Sequence, residues 1–500
     1  MTKQQQYDVM IFGSGFGGCL TAAILAKRGM SVLMIDKLAH PRFAIGESST
    51  PAADLILHEL ATKYDLPDLM PLTKFGTWRQ EYPDVRCGCK RGFSYFWHGH
   101  KQGFQANAMH DHELLVNANA SREVADTQWY RADVDQLFAT VAQQQGATLL
   151  EEARVLSIEH PQTHQWHVTI EHEETEKVYR SRFVIDASGP SGVLLNALKI
   201  ESQTDQLQTH SSAVYGHFND VPPLKNWLNA QQAIVSDYPF PVDDSAVHHL
   251  FHDGWAWQLR FEDGLTSLGF VLGNSELKTD TTPRETWNSI LSDHPVMREL
   301  LDSATEAEYP GQLSQTGRLQ RLRSQAAGED WAALPSAVGF IDPLHSTGIA
   351  HTLSGVERVC HALLDFTEAD RTVELNKYSQ QVNQEFRLID LLVAGCYLGL
   401  KDFRLFTAWS MIYFAAATTY EQNRTSKSTS LFCADDQRFI LIITTLYQQL
   451  EQLCSNDLNP SDQAISQFVD QVKVTISPYN HVGLFEPVVN NMYHYTATAK

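Results

Sequence analysis

The chain of 500 residues sets 38 Lys and Arg against 59 Asp and Glu, a formal net charge of −21 with histidine neutral. That balance repels nucleic acid and anionic membrane surfaces. The length calls for two or more packed domains, and 43% hydrophobic content without low-complexity tracts is ordinary for a globular protein.

Residues 1–6 lead directly into an apolar run with no signal-peptide core, which points to a cytoplasmic protein. The seven cysteines are scattered and odd in number, so no disulfide framework is expected. Cys87-Gly88-Cys89 reads as buried thiols rather than half a metal site, since no second pair completes one. The chain is therefore expected to hold no metal.

The first forty residues are the most informative. An apolar strand at 9–12 runs into Gly13-Ser14-Gly15-Phe16-Gly17-Gly18, which opens a helix over 19–26. A second apolar strand at 32–35 ends on Asp36. Gly13 permits the tight turn, Gly15 lets backbone approach a pyrophosphate, and Gly18 lets the helix pack closely on the strand. The helix N-terminus offers free N–H groups to phosphates, and Asp36 stands where a carboxylate accepts hydrogen bonds from a ribose. Strand, glycine turn, helix, strand and acid in register predict an adenine dinucleotide site.

Gly46 then permits an unusual turn before Glu47-Ser48-Ser49-Thr50, and Pro51 opens a helix over 52–64. One of Ser48, Ser49 or Thr50 can cap that helix while the same turn faces a ligand. Residues 74–97 are dense in aromatic and cationic side chains, and the period-two run at 92–97 predicts a strand in a second sheet. Residues 99–125 read as a loop-rich excursion, with His110-Asp111-His112 on its surface. An amphipathic helix follows from 129, then strands at 153–158, 166–171 and 183–186, where the chain returns to the first sheet. At the turn Asp186-Ala187-Ser188-Gly189 the acid either forms the turn or faces the ligand.

Residues 211–271 predict a strand meander with turns at Asp253-Gly254 and Asp263-Gly264. Alternation sets Trp255, Trp257, Leu259 and Phe261 on one face, either a pocket floor or core packing. A charged, helix-rich interval covers 285–306. A second ligand-facing turn, Asp342-Pro343-Leu344-His345-Ser346-Thr347-Gly348, opens a helix over 352–365, and the remainder is mainly helical. The apolar stretch at 406–418 is too short to span a bilayer and reads as a buried helix.

The glycine turn, Pro41-Arg42-Phe43-Ala44-Ile45-Gly46-Glu47-Ser48, Arg131-Ala132-Asp133, Asp186-Ala187-Ser188-Gly189 and the 342–348 turn together resemble the flavin monooxygenase superfamily. They are most similar to its flavin-dependent halogenase branch, over residues 7–360. The resemblance implies an α/β fold: a Rossmann-like FAD-binding domain of glutathione-reductase type, interleaved with a mainly antiparallel-sheet substrate domain, plus a helical C-terminal region. The FAD-binding parts would be 1–75, 126–200 and 311–370, the substrate domain 76–125 and 201–310, and the helical region 371–500.

By the same resemblance, Gly13, Gly15, Phe16, Gly17, Gly18, Asp36 and Lys37 would hold the ADP half of FAD. Arg42, Glu47, Ser48, Ser49, Arg131 and Asp186 would line the rest of the cofactor, with Asp342, Gly348 and Ile349 along its ring. Halide would sit at Thr347 and Gly348, and Trp255 and Trp257 would border the substrate. Lys74, about thirty residues past the Gly-Glu-Ser turn, would pass halogen from hypohalous acid to an electron-rich aromatic substrate, free or carrier-bound; Lys90 competes for that role.

No second glycine-rich βαβ unit offers a nicotinamide site, so reduced FAD would come from a separate flavin reductase. Two departures from the family pattern stand out. Trp-x-Trp-x-Ile-Pro has become Trp255-Ala256-Trp257-Gln258-Leu259-Arg260. A glutamate before Ser-Thr-Gly has become His345, which can still act as a base or hydrogen-bond donor. The alternatives are a flavin monooxygenase or dehydrogenase that ignores halide, and a non-catalytic FAD-binding maturation partner.

Overall fold

The computed structural model describes residues 6–99, 103–273, 281–424, 430–455 and 460–494. Its first sheet centres on the strand Gln6–Phe12, buried from Val9 onward and flanked in parallel by Val32–Ile35 and Thr175–Asp186. Thr148–Leu150 extends one edge in parallel, and Trp331–Ala333 pairs with the last residues of Thr175–Asp186. Such strands, covered on both faces, need continuous apolar runs, and Val9-Met10-Ile11-Phe12 and Val32-Leu33-Met34-Ile35 supply them. An antiparallel ribbon, Arg154–Gln162 with Gln165–His172, continues the sheet outward.

The second sheet is mainly antiparallel. Its order runs Thr305–Glu306, Ser211–Asn219, Thr266–Gly273, Gly254–Arg260, Ala246–Leu250, Gly92–Trp97, Glu113–Asn117 and Met492–Tyr493. Alternation decides its two faces. Phe93, Tyr95, Trp255 and Trp257 join the large core shared with the first sheet, while Phe96, Ala256 and Phe270 face a smaller core with Trp287 and Met297. Phe261 lies past the strand end in a separate cluster with Tyr130.

The structure differs from the sequence reading at several places. The excursion at 99–125 contains a strand, Glu113–Asn117, antiparallel to Gly92–Trp97. Its polar ends, Glu113 and Asn117, are themselves buried, which hid it from a hydropathy pattern. His110 is buried between Glu113 (3.1 Å) and Asp237 (3.2 Å) rather than on the surface. The interval at 285–306 is helix-rich as expected, its two helices Pro283–Asp293 and Pro295–Leu300 parted where Pro295 cannot continue the first. Ser314–Arg318, within the stretch assigned to the cofactor domain, pairs instead with Ser211–Asn219 of the second sheet.

The C-terminal region is helical: Glu368–Gly399, Phe403–Asn423, Gln437–Cys454 and Asp462–Thr475. Phe403–Asn423 is buried along almost its whole length. Among the described residues, no helix is long and apolar enough to cross a membrane.

Candidate functional site

At the glycine turn each missing side chain has its own reason. Gly13 has φ +100°, and a Cβ on Gly18 would meet Gly13 O at 2.2 Å, so helix and turn touch backbone to backbone. A Cβ on Gly17 would meet Thr352 Cγ2 at 2.6 Å, which seats the helix Phe16–Lys27 against the helix Thr347–Asp365. Gly15 is open: its nearest neighbours are the side-chain ends of Arg131 (3.7 Å), Asp135 (3.7 Å) and Arg42 (3.9 Å).

A charged network surrounds that opening. Arg131 makes a two-pronged contact with Asp135 (2.9 and 2.9 Å) and donates to the carbonyls of Ile45 and Gly46. Asp135 also accepts the Phe16 N–H at the start of the helix (3.2 Å). Sequence reading passed over Asp135, although its four-residue spacing from Arg131 on one helix face was visible. Asp36 accepts from the Ser14 N–H (2.8 Å), the Ser14 hydroxyl (2.9 Å) and Arg42 (3.0 Å). Burial pushes its carboxyl up, but the Arg42 cation and these hydrogen bonds outweigh that and hold it below the usual range. Lys37 is exposed beside it.

Two of the expected cofactor carboxylates turn inward. Asp186 is completely buried and accepts from Ser188 N–H and hydroxyl and from the N–H groups of Leu194 and Leu195. Its carboxyl is raised by burial, partly offset by those donors. It shapes the turn and holds the first N–H groups of the helix Val193–Ala197. Glu47 Oε1 lies 2.8 Å from His217 Nε2, directed at the second sheet. Phe43 stands against His217 as well, ring centroids 5.5 Å apart. Ser49 donates to Asp54 in the following helix (2.8 Å), while Ser48 pairs by a single bridge with Gln128.

The 342–348 turn is pinned from behind. Asp342 accepts from Ser211 (2.8 Å), Tyr397 (2.9 Å) and the Leu344 N–H (3.1 Å), and burial pushes it up to about 6. Trp255 donates to the Tyr397 hydroxyl (3.2 Å) and Trp257 to Ser267 (3.1 Å), so both expected substrate-pocket rings are packed in the core. Tyr413 donates to the His345 carbonyl (2.9 Å), and its ring stacks on the imidazole at 4.2 Å.

Burial, with His248 nearby, lowers His345 to about 3, so it is neutral near pH 7 and serves as a hydrogen-bond partner rather than a titrating base. Cys396 Sγ lies 3.4 Å from His345 Nε2. Burial pushes that thiol up, so it stays protonated near pH 7. Ser346 adopts a left-handed backbone (φ 53°) as the helix Thr347–Asp365 begins. Thr347 and Ile349 are buried, whereas Gly348 is exposed and a Cβ there would meet nothing within 4 Å.

The two candidate lysines lie in different surroundings. Lys74 is half-buried at the start of a short helix, Phe75–Glu81, that docks on the backbone of Glu123 and Ala125. Lys90 is fully buried, its Nζ donating to Ser49 O at 2.6 Å and standing 4.1 Å from the Phe93 ring centroid. It ends a two-stranded ribbon, Cys87–Lys90 with Asp126–Trp129, in which Lys90 lies directly opposite the buried Asp126 and Gly88 opposite Gln128. Opposed residues share a face, so Lys90, Asp126 and Gln128 gather beside the Ser48-Ser49 turn.

Next to them is a cavity between the Thr50-Pro51 helix start, Phe93, and Tyr413, Phe414, Thr418 and Glu421 of the helix Phe403–Asn423. Neither Lys74 nor Lys90 lines it, although Lys90 Nζ stands over the ring of Phe93, which does. Arg260, the cation that replaces the family's proline, donates instead to the Val221 carbonyl (2.8 Å) and leaves the cavity open.

Several buried polar atoms near Gly15, the Gly46 turn and Gly348 have no protein partner: Arg42 Nε, Glu47 Oε2, Ser48 Oγ, both amide atoms of Gln128 and His345 Nδ1. Left dry, each would cost about 1–3 kcal/mol. Together with the open Gly15 and Gly348 they form a polar path from one helix N-terminus to another, which fits an extended dinucleotide such as FAD.

Comparison with known proteins agrees with this geometry. The tryptophan halogenase family model matches residues 127–399, and a model of NAD(P)-binding Rossmann-like domains matches residues 11–63. The chain is 28% identical over 440 residues to the monodechloroaminopyrrolnitrin halogenase PrnC of Pseudomonas fluorescens, covering 86% of this chain and 74% of that protein. It is 26% identical over 422 residues to the tetracycline 7-halogenase of Kitasatospora aureofaciens, covering 82% and 73%. Among solved structures, halogenase PltM in complex with phloroglucinol and FAD superposes with a TM-score of 0.85 at 22% identity, covering 98% of this chain and all of that one.

Proposed function

The chain belongs to the tryptophan halogenase family of flavin-dependent enzymes, and from that premise we propose that it halogenates an electron-rich aromatic substrate, with Lys90 as the residue that delivers the halogen. The observation that carries the proposal is the position of Lys90: completely buried, between the Ser48-Ser49 turn and the aromatic wall. A buried ammonium is costly, and the carboxylate of Asp126 opposite it in the ribbon offsets that cost. Lys90 therefore takes the role that the resemblance suggested for Lys74.

Bound FAD, arriving reduced, supplies the electrons that activate oxygen and so the oxidising power that turns chloride or bromide into hypohalous acid. The chain's residues do the rest. The helix N-terminus at the buried Thr347 and exposed Gly348 favours a halide, since the first N–H groups of a helix and its dipole both attract an anion. The neutral His345 ring, whose Nδ1 has no protein partner, belongs to the same turn.

Lys90 donates a proton to the hypohalous oxygen as the aromatic ring takes the halogen: the carbon–halogen bond forms, the halogen–oxygen bond breaks and water leaves. The ring then loses its proton, which restores the ammonium. The reading sets the enzyme in the cytoplasm, where a separate flavin reductase and reduced nicotinamide are at hand.

The test supplies the protein with FAD, a flavin reductase, NADH, oxygen, chloride or bromide, and a panel of phenols, aryl amines, pyrroles and indoles. The expected result is a product whose mass and isotope pattern show halogen and whose yield tracks halide concentration. Hydroxylated product formed equally without halide would replace this reading with plain oxygenation.

A further inference from the structure

We propose that a cluster of arginines set between the two cofactor turns draws dianionic FAD toward its cleft from solution. The proposal rests on the reading above that FAD arrives from a separate reductase. Free reduced FAD is quickly lost to oxygen, so the rate of capture bears on the yield.

The cluster is fastened to one segment, residues 196–209. Arg323 donates to Ile200 O (2.9 Å) and to Asn196 Oδ1. Arg387 donates to the side-chain carbonyls of Gln203 (2.8 Å) and Gln206 (2.9 Å), and Arg318 to Thr204 O and Thr209 O, both at 3.2 Å. Arg321, two residues before Arg323, donates to Ser336 O (2.6 Å). All of these acceptors are neutral oxygens, which orient a guanidinium without cancelling its charge. Lys199 adds an exposed ammonium on the segment itself.

The acids at hand are fewer. On the segment, Glu201 and Asp205 are exposed, and Asp205 stands 3.7 Å from Arg318. Behind it the buried Asp390 spends its oxygens on the N–H groups of Gln208 and Thr209. Positive charge is therefore in local excess on a chain whose net charge is −21.

The pairings place the cluster beside the cofactor site. Asn196 lies in the helix Val193–Ala197, whose first N–H groups Asp186 holds, and a Cβ on Gly13 would meet Ala187 O at 2.4 Å. At its other side Arg321 lies directly opposite Phe340, two residues before Asp342. Both turns thus fall well inside the Debye length of about 30 Å at 0.01 M salt. Nearer the cleft the charges cancel, since Asp36 matches Arg42 and Asp135 matches Arg131. Those groups suit short-range hydrogen bonding, and the long-range attraction falls to the cluster.

Binding of oxidised FAD to the flavin-free full chain is followed by stopped-flow fluorescence, without halide or reductase, at about 10 mM and about 1 M ionic strength. A Lys199→Gln/Arg323→Gln/Arg387→Gln protein should associate about threefold to fivefold more slowly than wild type at low salt, with dissociation unchanged. At high salt the two should agree within about 1.5-fold. Lys199→Arg/Arg323→Lys/Arg387→Lys, which keeps each charge while altering each hydrogen bond, should retain the wild-type rate. Melting temperature reports folding. Should the triple variant misfold, Lys199→Gln/Arg387→Gln, at two exposed positions, carries the same test with an effect of about twofold.

Equal association rates at low salt, a difference that persists at high salt, a change carried by dissociation, or a charge-keeping variant as slow as the neutral one would each overturn the proposal. Because capture is read without turnover or reductase, a protein that captures FAD as expected yet forms no halogenated product counts against the reaction alone. An active halogenase whose capture ignores these charges counts against the cluster alone.

Discussion

Replacing Lys90 by methionine separates the two lysines by experiment. Methionine keeps most of the buried stem but removes a charged hydrogen bond to Ser49 O, about 1.5–3 kcal/mol, and the cation over Phe93, roughly 0.5–2 kcal/mol. The folded state should lose about 2–4 kcal/mol in urea titration, discounted somewhat because the thioether still packs. That is tolerable for a chain of this size. Loss of the proton donor to hypohalous acid should lower halogenated product per flavin oxidised by about a hundredfold or more.

Flavin oxidation itself should continue, with the unused hypohalous acid caught by a dimedone trap. Lys74→Met should stay within about 0.5 kcal/mol of wild type and keep its coupling, because Lys74 is half-exposed and off the cavity. If Lys74→Met uncouples the reaction while a folded Lys90→Met does not, the assignment of Lys90 from burial and register is refuted.

Three further outcomes follow from the geometry. Gly18→Ala puts a methyl 2.2 Å from Gly13 O, so it should cost about 1–3 kcal/mol and weaken FAD retention at least about tenfold, read by flavin fluorescence on dilution. Asp342, at about 6 folded against roughly 3.9 unfolded, holds a proton that the unfolded chain gives up between those values, so stability falls as pH rises through that window. Across pH 4 to 7, the wild-type-minus-Asp342→Asn difference in unfolding free energy should move toward the variant by roughly 2 kcal/mol; a flat difference would contradict it. Arg260→Ala removes a bond to the Val221 carbonyl and nothing at the cavity, so halogenation should stay within about twofold, and a large loss would show that Arg260 reaches the site.

What the sequence revealed, and what it hid, follows from the range of the interactions involved. The glycine turn was legible because its causes are local: Gly13, Gly18 and Asp36 act within one strand-helix-strand unit. The Trp255, Trp257 face was legible by alternation, but whether it floors a pocket or packs depends on Tyr397, more than a hundred residues away. Lys90 stood only as a competitor to Lys74 for a similar reason. Counting from the Gly-Glu-Ser turn favours Lys74, and only the pairing of Cys87–Lys90 with Asp126–Trp129 brings Lys90 to Ser49. For Asp186 and Glu47, spacing says where a carboxylate stands but not that Leu194 engages the first and His217 one oxygen of the second. Gln128 offered no signal at all, being an ordinary residue on a short strand.

The close seat of Gly17 on Thr352 fixes a length. In the proposed FAD arrangement one helix would point its N-terminus at the cofactor's phosphates and the other at its ring, and the missing Cβ lets the two helices touch side to side. The two ends of the cofactor are thereby gauged against a single contact, as the two jaws of a caliper share one beam. A ring held to that gauge keeps its reactive edge at a constant distance from the turn that holds His345 and Gly348, whatever the surface loops do. Accuracy at the site of chemistry is thus set at a residue that touches neither halide nor substrate.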